Sequence, residues 1–311
     1  MKKITNNTGM SLPIAVWCAV DGYDHSNEEN LISATSIMKP IRQIVLGRRY
    51  KDSEKEVDVD DLISSSMGTA LHDSVESAWK NKDKVVEVLN NMGYTNSEDI
   101  YDKITFEKRT VKEMLGYKIS GKFDLVFDGI VADIKSTSTW TYIFGSKDDD
   151  YRLQMSIYKW LNPLLITNDY GYIEFIFTDW SGVKAKQDKT YPQSRVVSKK
   201  IKLMTIEDTE RWLEGKLNEI TTNELLTDDK LPECTDEELW SSPDVWKYYK
   251  GASRARSTKN FDNEADAIRF QMSNGDVGEV VHFKGEVKRC KYCSYANFCN
   301  QYTKLQLKGL I

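Results

Sequence analysis

Long apolar runs are missing from this sequence of 311 residues. Because no stretch of about 18 consecutive apolar residues occurs, we expect no transmembrane helix and no membrane association. The apolar residues 11–20 follow a lysine-bearing N-terminus, but they run into Asp21 without a typical cleavage site. A secreted protein is therefore not expected, and we predict a cytoplasmic location.

Two further signals are absent. The sequence has no excess of positive charge, since 43 Lys and Arg residues stand against 48 Asp and Glu, a formal net charge of −5. A nucleic-acid-binding protein of this composition would need a local positive groove. The motif G-x-x-x-x-G-K-[ST] does not occur either, so ATP-driven unwinding by a P-loop would have to come from a separate helicase.

Cysteine is scarce, and its distribution is uneven. An odd number of five, without a secretion signal, argues against a disulfide framework. Cys290, Cys293 and Cys299 form a C-x2-C-x5-C motif, in which the first two sulfurs can reach one metal and the third can loop onto it. This motif predicts metal or cluster ligation, with the fourth thiol supplied by Cys234 or Cys18.

What is present is typical of a folded globular protein, with 40% hydrophobic and 29% charged residues. Periodicity predicts helices over 28–50, broken near Pro40, and over 62–79, 151–160 and 205–226. Alternation predicts strands over 104–112, 117–127, 130–136, 170–180 and 196–204, with Asp128 and Gly129 as a hairpin turn.

The order of these elements predicts a mixed α/β fold. We divide the chain into three regions by their composition. Residues 1–67 are predicted as an N-terminal helical region that packs on the core, residues 68–230 as the α/β core, and residues 231–311 as a C-terminal cysteine module.

Two carboxylates and a lysine lie on either side of the hairpin turn. Counting outward from Asp128 and Gly129 brings Asp124 opposite Asp133, so both side chains could reach one ion. Lys135 lies two residues beyond Asp133 and hence on the same face of the strand. Mg²⁺ binds a few carboxylates plus water and substrate oxygens, so this arrangement suits metal-assisted hydrolysis of a phosphodiester. A surface Asp–Lys pair on a hairpin is the alternative for these three residues alone.

Two neighbouring features favour the metal site. The run from Ser136 to Thr139 is polar for the end of a buried strand. Gln154 and Tyr158 lie one helical turn apart on the following helix and therefore share a face.

The order of four motifs resembles the RecB-type branch of the PD-(D/E)XK nuclease superfamily. The motifs are Gly68-x-x-x-His72, Gly121-x-x-Asp124, Asp133-Ile-Lys135 and Gln154-x-x-x-Tyr158. The resemblance implies a restriction-endonuclease-like core, with a mixed central sheet flanked by helices, that uses one or two Mg²⁺ or Mn²⁺ ions.

The resemblance also implies a role for each residue. The expected metal ligands are the side chains of His72, Asp124 and Asp133 and the backbone carbonyl of Ile134. Lys135 is expected to be catalytic, and Gln154 and Tyr158 are expected to flank the site and engage DNA. Glu76, one turn after His72, is a weaker candidate for the metal shell.

The cysteine module resembles the iron–sulfur staple of AddB-type nucleases and CRISPR adaptation nucleases. There, a distant first cysteine joins the last three on a 4Fe–4S cluster, and it usually precedes the nuclease core. The corresponding stretch here, residues 36–42, contains no cysteine. We therefore favour a local cluster of Cys234, Cys290, Cys293 and Cys299, and Zn²⁺ remains the alternative because four thiolates suit it equally.

Together these features predict a metal-dependent deoxyribonuclease. We expect an exonuclease that acts on DNA ends or single strands in recombination, repair or phage DNA metabolism, with a separate helicase or recombination protein as a partner. A phage-encoded protein in the host cytoplasm fits the resemblance. The alternatives are a non-catalytic DNA-binding or assembly subunit, which the intact set of His72, Asp124, Asp133 and Lys135 argues against, and a nuclease that acts on RNA.

Overall fold

The structure is a computed structural model that describes residues 2–20, 28, 30–53, 55–251 and 255–311. The fold is mixed α/β, as the sequence predicts. The chain forms two compact units, one of residues 1–38 and 54–218 and the other of residues 39–53 and 219–311. Within the described ranges, no helix combines the length and the apolar character needed to cross a bilayer.

The elements are numbered in chain order. The helices are α1 (Leu12–Ala19), α2 (Ala34–Ile37), α3 (Ile41–Arg49), α4 (Ile63–Ala78), α5 (Lys82–Asn91), α6 (Ser97–Asp102), α7 (Thr139–Phe144), α8 (Asp148–Leu161), α9 (Gly182–Gln187), α10 (Ile206–Glu224), α11 (Glu264–Ser273) and α12 (Asn300–Leu307). The strands are β1 (Lys2–Thr5), β2 (Leu31–Ser33), β3 (Lys55–Asp58), β4 (Ile104–Phe106), β5 (Arg109–Met114), β6 (Tyr117–Lys122), β7 (Leu125–Phe127), β8 (Ile130–Thr137), β9 (Tyr170–Phe177), β10 (Val196–Lys202), β11 (Val245–Tyr249), β12 (Lys259–Phe261) and β13 (Glu279–Phe283).

Three of the sequence-based element predictions need correction. The segment 28–50 is not one broken helix, because Leu31–Ser33 pairs with β6 in parallel before α2 begins. The strands predicted over 104–112 and 117–127 are each divided in two. The first division falls at Glu107, whose backbone adopts a left-handed conformation (φ 36°). The second falls at Phe123 and Asp124, between β6 and β7.

The first unit is built on a five-stranded sheet with the order β10-β9-β8-β7-β4. Strand β8 is central, antiparallel to β7 and parallel to β9. Asp128 and Gly129 form the hairpin turn between β7 and β8, with φ angles of 47° and 77°. These two positive angles are those of a type I′ turn, which suits the right-handed twist of the strands. The turn aligns Leu125 with Ala132 and so brings Asp124 beside Asp133.

Helix α8 covers the core of the first unit. It packs against β8 and β10 of the five-stranded sheet and against β5 and β6 of a second sheet, whose order is β2-β6-β5. Its apolar face is fully buried, with Met155, Ile157 and Trp160 all at most 1% exposed. An amphipathic helix that buries such a face fixes its rotation, which determines where its polar residues point.

The second unit joins the C-terminal chain to a short upstream segment. Strands β12, β11 and β13 form an antiparallel sheet against which α11 packs. Residues 39–53, which contain α3, belong to the same unit. Tyr50 stacks on Phe298 with ring centroids 4.2 Å apart, and Arg49 forms an ion pair with Asp228. The N-terminal 67 residues therefore divide between the units and contain three strands as well as helices. The three functional regions we predicted remain a prediction.

Gly121 allows α8 to approach β6 closely. A Cβ atom at this position would lie 2.5 Å from Leu161 Cδ1 and 3.0 Å from Tyr158 Cδ1. We expect Gly121→Ala to lower the free energy of unfolding by about 1–3 kcal/mol, because the helix or its side chains must shift. Chemical denaturation of the purified protein measures this change.

Gly215→Ala is the matched control. Gly215 lies inside α10, and no atom lies within 4 Å of an added Cβ. The control should leave stability unchanged or raise it by up to about 1 kcal/mol, because alanine favours the helix. Equal stabilities of the two variants would contradict the role of Gly121.

Candidate functional site

One cavity of about 330 Å³ in the first unit is lined by all four of the expected metal ligands, while Glu76, the weaker candidate, does not line it. Helix α4, strand β8, helix α8 and the segment between β6 and β7 each contribute side chains to its wall. The predicted residues that line it are Gly68, His72, Asp124, Asp133, Ile134, Lys135, Gln154 and Tyr158.

The early end of β7 exposes the edge of β8 at Ile134. Strand β7 pairs with β8 only as far as Ala132, so the peptide of Ile134 has no strand partner on that side. The Asp124 carboxylate accepts a hydrogen bond from the Ile134 N–H at 2.7 Å. The Ile134 carbonyl oxygen lies 3.0 Å from His72 Nε2. Two predicted ligands are thus held by the backbone of the strand that carries Asp133 and Lys135.

His72 faces an oxygen acceptor at each ring nitrogen. Its Nδ1 lies 3.2 Å from Asp124 Oδ1, and its Nε2 faces the Ile134 carbonyl. The hydrogen bond to Asp124 raises the pKa of His72 above its usual value, although burial opposes this. Only a doubly protonated ring can donate to both oxygens. The group therefore requires positive charge, from a second proton or from a bound cation.

Asp133 is 1% exposed and lies on the central strand. Neither of its carboxylate oxygens accepts a hydrogen bond from a described residue. Lys135 Nζ lies 2.5 Å from Asp133 Oδ2, so the two groups form a close ion pair on that oxygen. Burial raises the pKa of Asp133, and the neighbouring lysine only partly offsets that effect. A buried carboxylate whose acceptor sites are unfilled is suited to a cation.

Lys135 remains protonated in this arrangement. Burial lowers the pKa of Lys135, but the carboxylates of Asp133 and Asp124 outweigh burial and raise it above the usual value. The Lys135 Nζ atom also lies 5.9 Å from the ring centroid of Tyr151, which limits the space around it. An ammonium group can donate hydrogen bonds and stabilise negative charge, but it cannot accept a proton.

Gln154 and Tyr158 meet each other on α8. Gln154 Nε2 donates a hydrogen bond to the Tyr158 hydroxyl at 2.7 Å, and both residues are largely buried. The buried apolar face of α8 fixes the rotation of the helix, and the missing Cβ at Gly121 lets the helix approach β6. Together they place Gln154 and Tyr158 in the cavity wall.

The sequence did not identify Glu107 and Lys122, which also line the cavity and form an ion pair with each other. Glu107 lies at the break between β4 and β5, and its backbone N–H donates to the Asp124 carbonyl at 3.0 Å. Lys122 adjoins Gly121 in the motif that supplies Asp124. The sequence signal that would have indicated this ion pair is the presence of two opposite charges within a strand-rich tract. Thr35, Ser64, Thr69 and Ser136 add hydroxyl groups to the wall.

The ligand atoms of His72, Asp124 and Asp133 do not all lie within 4.8 Å of one another. Among the described residues, one group of acidic, histidine or cysteine side chains has three ligand atoms within 4.8 Å of one another. That group is Asp73, Glu76 and Glu107. Glu76, our weaker candidate, therefore groups with the exposed Asp73 and the partly buried Glu107, and its carboxylate lies 3.6 Å from Lys80 Nζ.

The chemistry of the predicted ligands nevertheless fits a hard divalent cation. Two carboxylates, one imidazole and one backbone carbonyl line the cavity, and both oxygens of Asp133 are among the buried atoms without a hydrogen-bond partner. Mg²⁺ and Mn²⁺ prefer such oxygen ligands and complete their shell with water and substrate.

The second unit contains a separate cavity of about 30 Å³ lined by four cysteines. These are Cys234, Cys290, Cys293 and Cys299, the four residues that we favoured for a local cluster. Cys18, the other option, is buried in the first unit with Ala15 and Val59 and does not line this cavity. No three of the four sulfurs, all of them in described parts of the chain, lie within 4.8 Å of one another.

Local hydrogen bonds hold the cysteine segments in place. Gln301, which is 5% exposed, donates to the Cys234 carbonyl at 2.9 Å and accepts from the Cys234 N–H at 2.8 Å. Cys290 and Cys293 lie in one tight turn closed by a 3.2 Å backbone hydrogen bond. Burial raises the pKa of Cys234 to about 12 and that of Cys290 to about 11. Thiolates at these positions therefore need a compensating positive charge.

Comparisons with known proteins give only distant similarities. No protein-family model and no curated protein matches the sequence. Among solved structures, SSO0001 is similar over 63% of this chain and 78% of its own, at 20% identity and a TM-score of 0.40. A phage-related exonuclease from Haemophilus somnus 129PT is similar over 61% of this chain and 92% of its own, at 14% identity and a TM-score of 0.35. At this level neither structure assigns an activity to the chain.

Proposed function

We propose that the first unit is a metal-dependent nuclease that hydrolyses phosphodiester bonds in DNA. The observation that carries the proposal is the placement of one ion pair. A buried carboxylate with unfilled acceptor sites, Asp133, lies beside a protonated lysine, Lys135, in a cavity where His72, Asp124 and the Ile134 carbonyl already form a second group of potential ligands. A carboxylate that can hold a metal and a cation that can stabilise developing negative charge both suit the hydrolysis of a phosphodiester.

His72, Asp124, Asp133 and the Ile134 carbonyl are the residues that would hold one Mg²⁺ or Mn²⁺ ion, with room for a second. When bound, the metal would supply a nucleophilic water at neutral pH and neutralise charge on the phosphoryl oxygens. Asp124 has a further task, because its hydrogen bond to Ile134 fixes the strand edge against which the ligands are arranged.

Lys135 acts as a hydrogen-bond donor. Because it is protonated, it can stabilise the charge that develops on the phosphoryl group and orient a water through its lone pair, but it cannot remove a proton. Gln154 and Tyr158 present polar atoms in the adjoining wall, where they would contact the strand next to the reacting phosphate. The hydroxyls of Thr35, Ser64, Thr69 and Ser136 suit the same task, since such groups commonly donate to phosphate oxygens.

We propose exonuclease action on DNA ends or single strands, in recombination, repair or phage DNA metabolism. A separate helicase or recombination protein would deliver the strand, since the sequence contains no P-loop motif.

The four cysteines of the second unit are proposed to hold a 4Fe–4S cluster. The four sulfurs line one cavity in the second unit. The C-x2-C-x5-C spacing and its resemblance to iron–sulfur modules favour the cluster, and a single Zn²⁺ with four thiolates is the alternative.

Removal of either member of the ion pair should abolish hydrolysis. With Mg²⁺ or Mn²⁺, the wild-type protein should degrade labelled linear DNA, and Asp133→Asn and Lys135→Met should each lower the rate by about 10²-fold or more. The control is Lys199→Met, because Lys199 forms a comparable ion pair with Asp148 outside the cavity. Its rate should match that of the wild type.

Each contrary result has a distinct meaning. Hydrolysis of RNA but not DNA would identify an RNA nuclease. Binding of DNA without cleavage by the wild type, with either metal, would identify a non-catalytic DNA-binding subunit. Equal rates of hydrolysis for the wild type and both site variants would contradict the proposed site.

Gly68 tests whether the strand passes along α4. This residue lies in the middle of the helix and lines the cavity, yet no atom lies within 4 Å of an added Cβ. Gly68→Ala should therefore keep or raise the melting temperature, because alanine stabilises helices. We expect it to raise the KM for DNA by about tenfold, since the methyl group occupies the space of the substrate (about 1.4 kcal/mol of binding). Gly215→Ala, also inside a helix but outside the cavity, should leave KM unchanged. An unaltered KM in Gly68→Ala would contradict this strand path.

Cysteine substitutions distinguish a local cluster from one that uses Cys18. Cys234→Ser should lose most of the iron and acid-labile sulfide of the protein purified without oxygen, because it removes a thiolate ligand. Cys18→Ser should keep the wild-type content. The opposite pattern would identify Cys18 as the fourth ligand, and a colourless wild type with stoichiometric zinc would exclude the iron–sulfur cluster.

A further inference from the structure

We propose that Arg42 is a positioning residue of the cysteine site, where it serves as counter-ion and hydrogen-bond donor to an anionic metal–thiolate centre. The inference rests on the metal centre proposed above and extends it to a residue that is not a ligand. Its basis is the place of one buried guanidinium in the second unit.

Arg42 lies on α3 and is 2% exposed. Its Nη1 lies 3.8 Å from Cys299 Sγ and donates to Asn300 Oδ1 at 2.6 Å. Its Nε donates to the Pro232 carbonyl at 3.0 Å, and its Nη2 donates to the Leu231 carbonyl. One side chain therefore contacts the segment before Cys234, the residue after Cys299 and the sulfur of Cys299 itself.

All the acceptors of Arg42 are neutral unless the cysteine is ionised. Two are backbone carbonyls and one is an asparagine side chain, and no carboxylate of the described residues forms an ion pair with it. A guanidinium remains charged in proteins, and the carboxylates of Asp228 and Glu233 interact with Arg42 only from beyond ion-pair distance. An anion within the cavity would therefore be the closest counter-ion of Arg42.

A metal–thiolate centre would supply that anion where the guanidinium already lies, because Arg42 lines the same cavity as the four cysteines and its Nη1 is 3.8 Å from Cys299 Sγ. Four thiolates around a core of charge about +2 leave a net charge of about −2, and that charge would face the guanidinium.

The same contact sets the electronic properties of the centre. Hydrogen bonds to ligand sulfur and nearby positive charge favour the reduced state of an iron–sulfur cluster. Removal of the Arg42 charge should therefore weaken metal retention and shift the reduction potential to a more negative value. If Arg42 only filled space, its substitution would leave the reduction potential of the centre unchanged, whether or not the new residue carried a charge.

The test compares Arg42→Met and Arg42→Lys with the wild-type full-length protein, each purified without oxygen. The control is Arg48→Met, because Arg48 lies on the same helix and pairs with Glu224 at 2.5 Å. Iron and labile sulfide per chain, loss of metal to a chelator, and the midpoint potential are measured for each protein. Circular dichroism verifies folding.

We expect Arg42→Met to lose metal several-fold faster than the wild type and to show a more negative potential. Arg42→Lys should restore most of both properties, and Arg48→Met should match the wild type. Wild-type retention and potential in Arg42→Met would overturn the role of Arg42 while leaving the centre intact.

Two other outcomes are equally decisive. A wild-type protein with neither iron nor zinc would overturn the centre itself, and the counter-ion role with it. If Arg42→Met does not fold, Arg42→Lys decides, since loss of metal despite the retained charge would show that hydrogen-bond geometry, not charge, is required.

Discussion

The hydrogen bond from the Ile134 N–H to Asp124 is the constraint on which the first unit's cavity depends. It forms because β7 stops pairing with β8 at Ala132, which leaves the next peptide on that edge without a strand partner. The same peptide's carbonyl faces His72, so one backbone unit positions two side chains from different elements. If β7 had continued to pair with β8 through residue 134, the N–H and carbonyl groups of Ile134 would have formed hydrogen bonds within the sheet.

Much of the first unit's site could be predicted because it follows from local rules. Asp128 and Gly129 fix a two-residue turn, the turn fixes the register, and the register brings Asp124 beside Asp133. The alternation of side chains places Lys135 on the face of Asp133, and the helical period brings Gln154 to Tyr158. Their roles as ligands or catalysts remain predictions, because geometry fixes neighbours and not chemistry.

The parts that were missed depend on contacts between distant segments. Glu107 reaches the cavity because a left-handed residue divides a predicted strand, and no propensity favours glutamate there. Residues 39–53 belong with 219–311 because Arg42, Arg49 and Tyr50 find their partners in that segment. Sequence periodicity identifies such residues as a helix, but it does not show which part of the chain buries the helix.

The two cavities balance buried charge in opposite ways. In the first unit, the buried carboxylate of Asp133 has a lysine beside it and still has unfilled acceptor sites, which suit a cation. In the second unit, the hydrogen-bond acceptors of the buried Arg42 guanidinium are neutral, so a metal–thiolate anion in its cavity would be its closest counter-ion. The free energy of metal binding contributes to the free energy of folding, so a metal–thiolate anion would stabilise the folded form of the four segments that carry its ligands. It would also stabilise, through Arg42, the segment 39–53, which the whole of 54–218 separates from the cysteines.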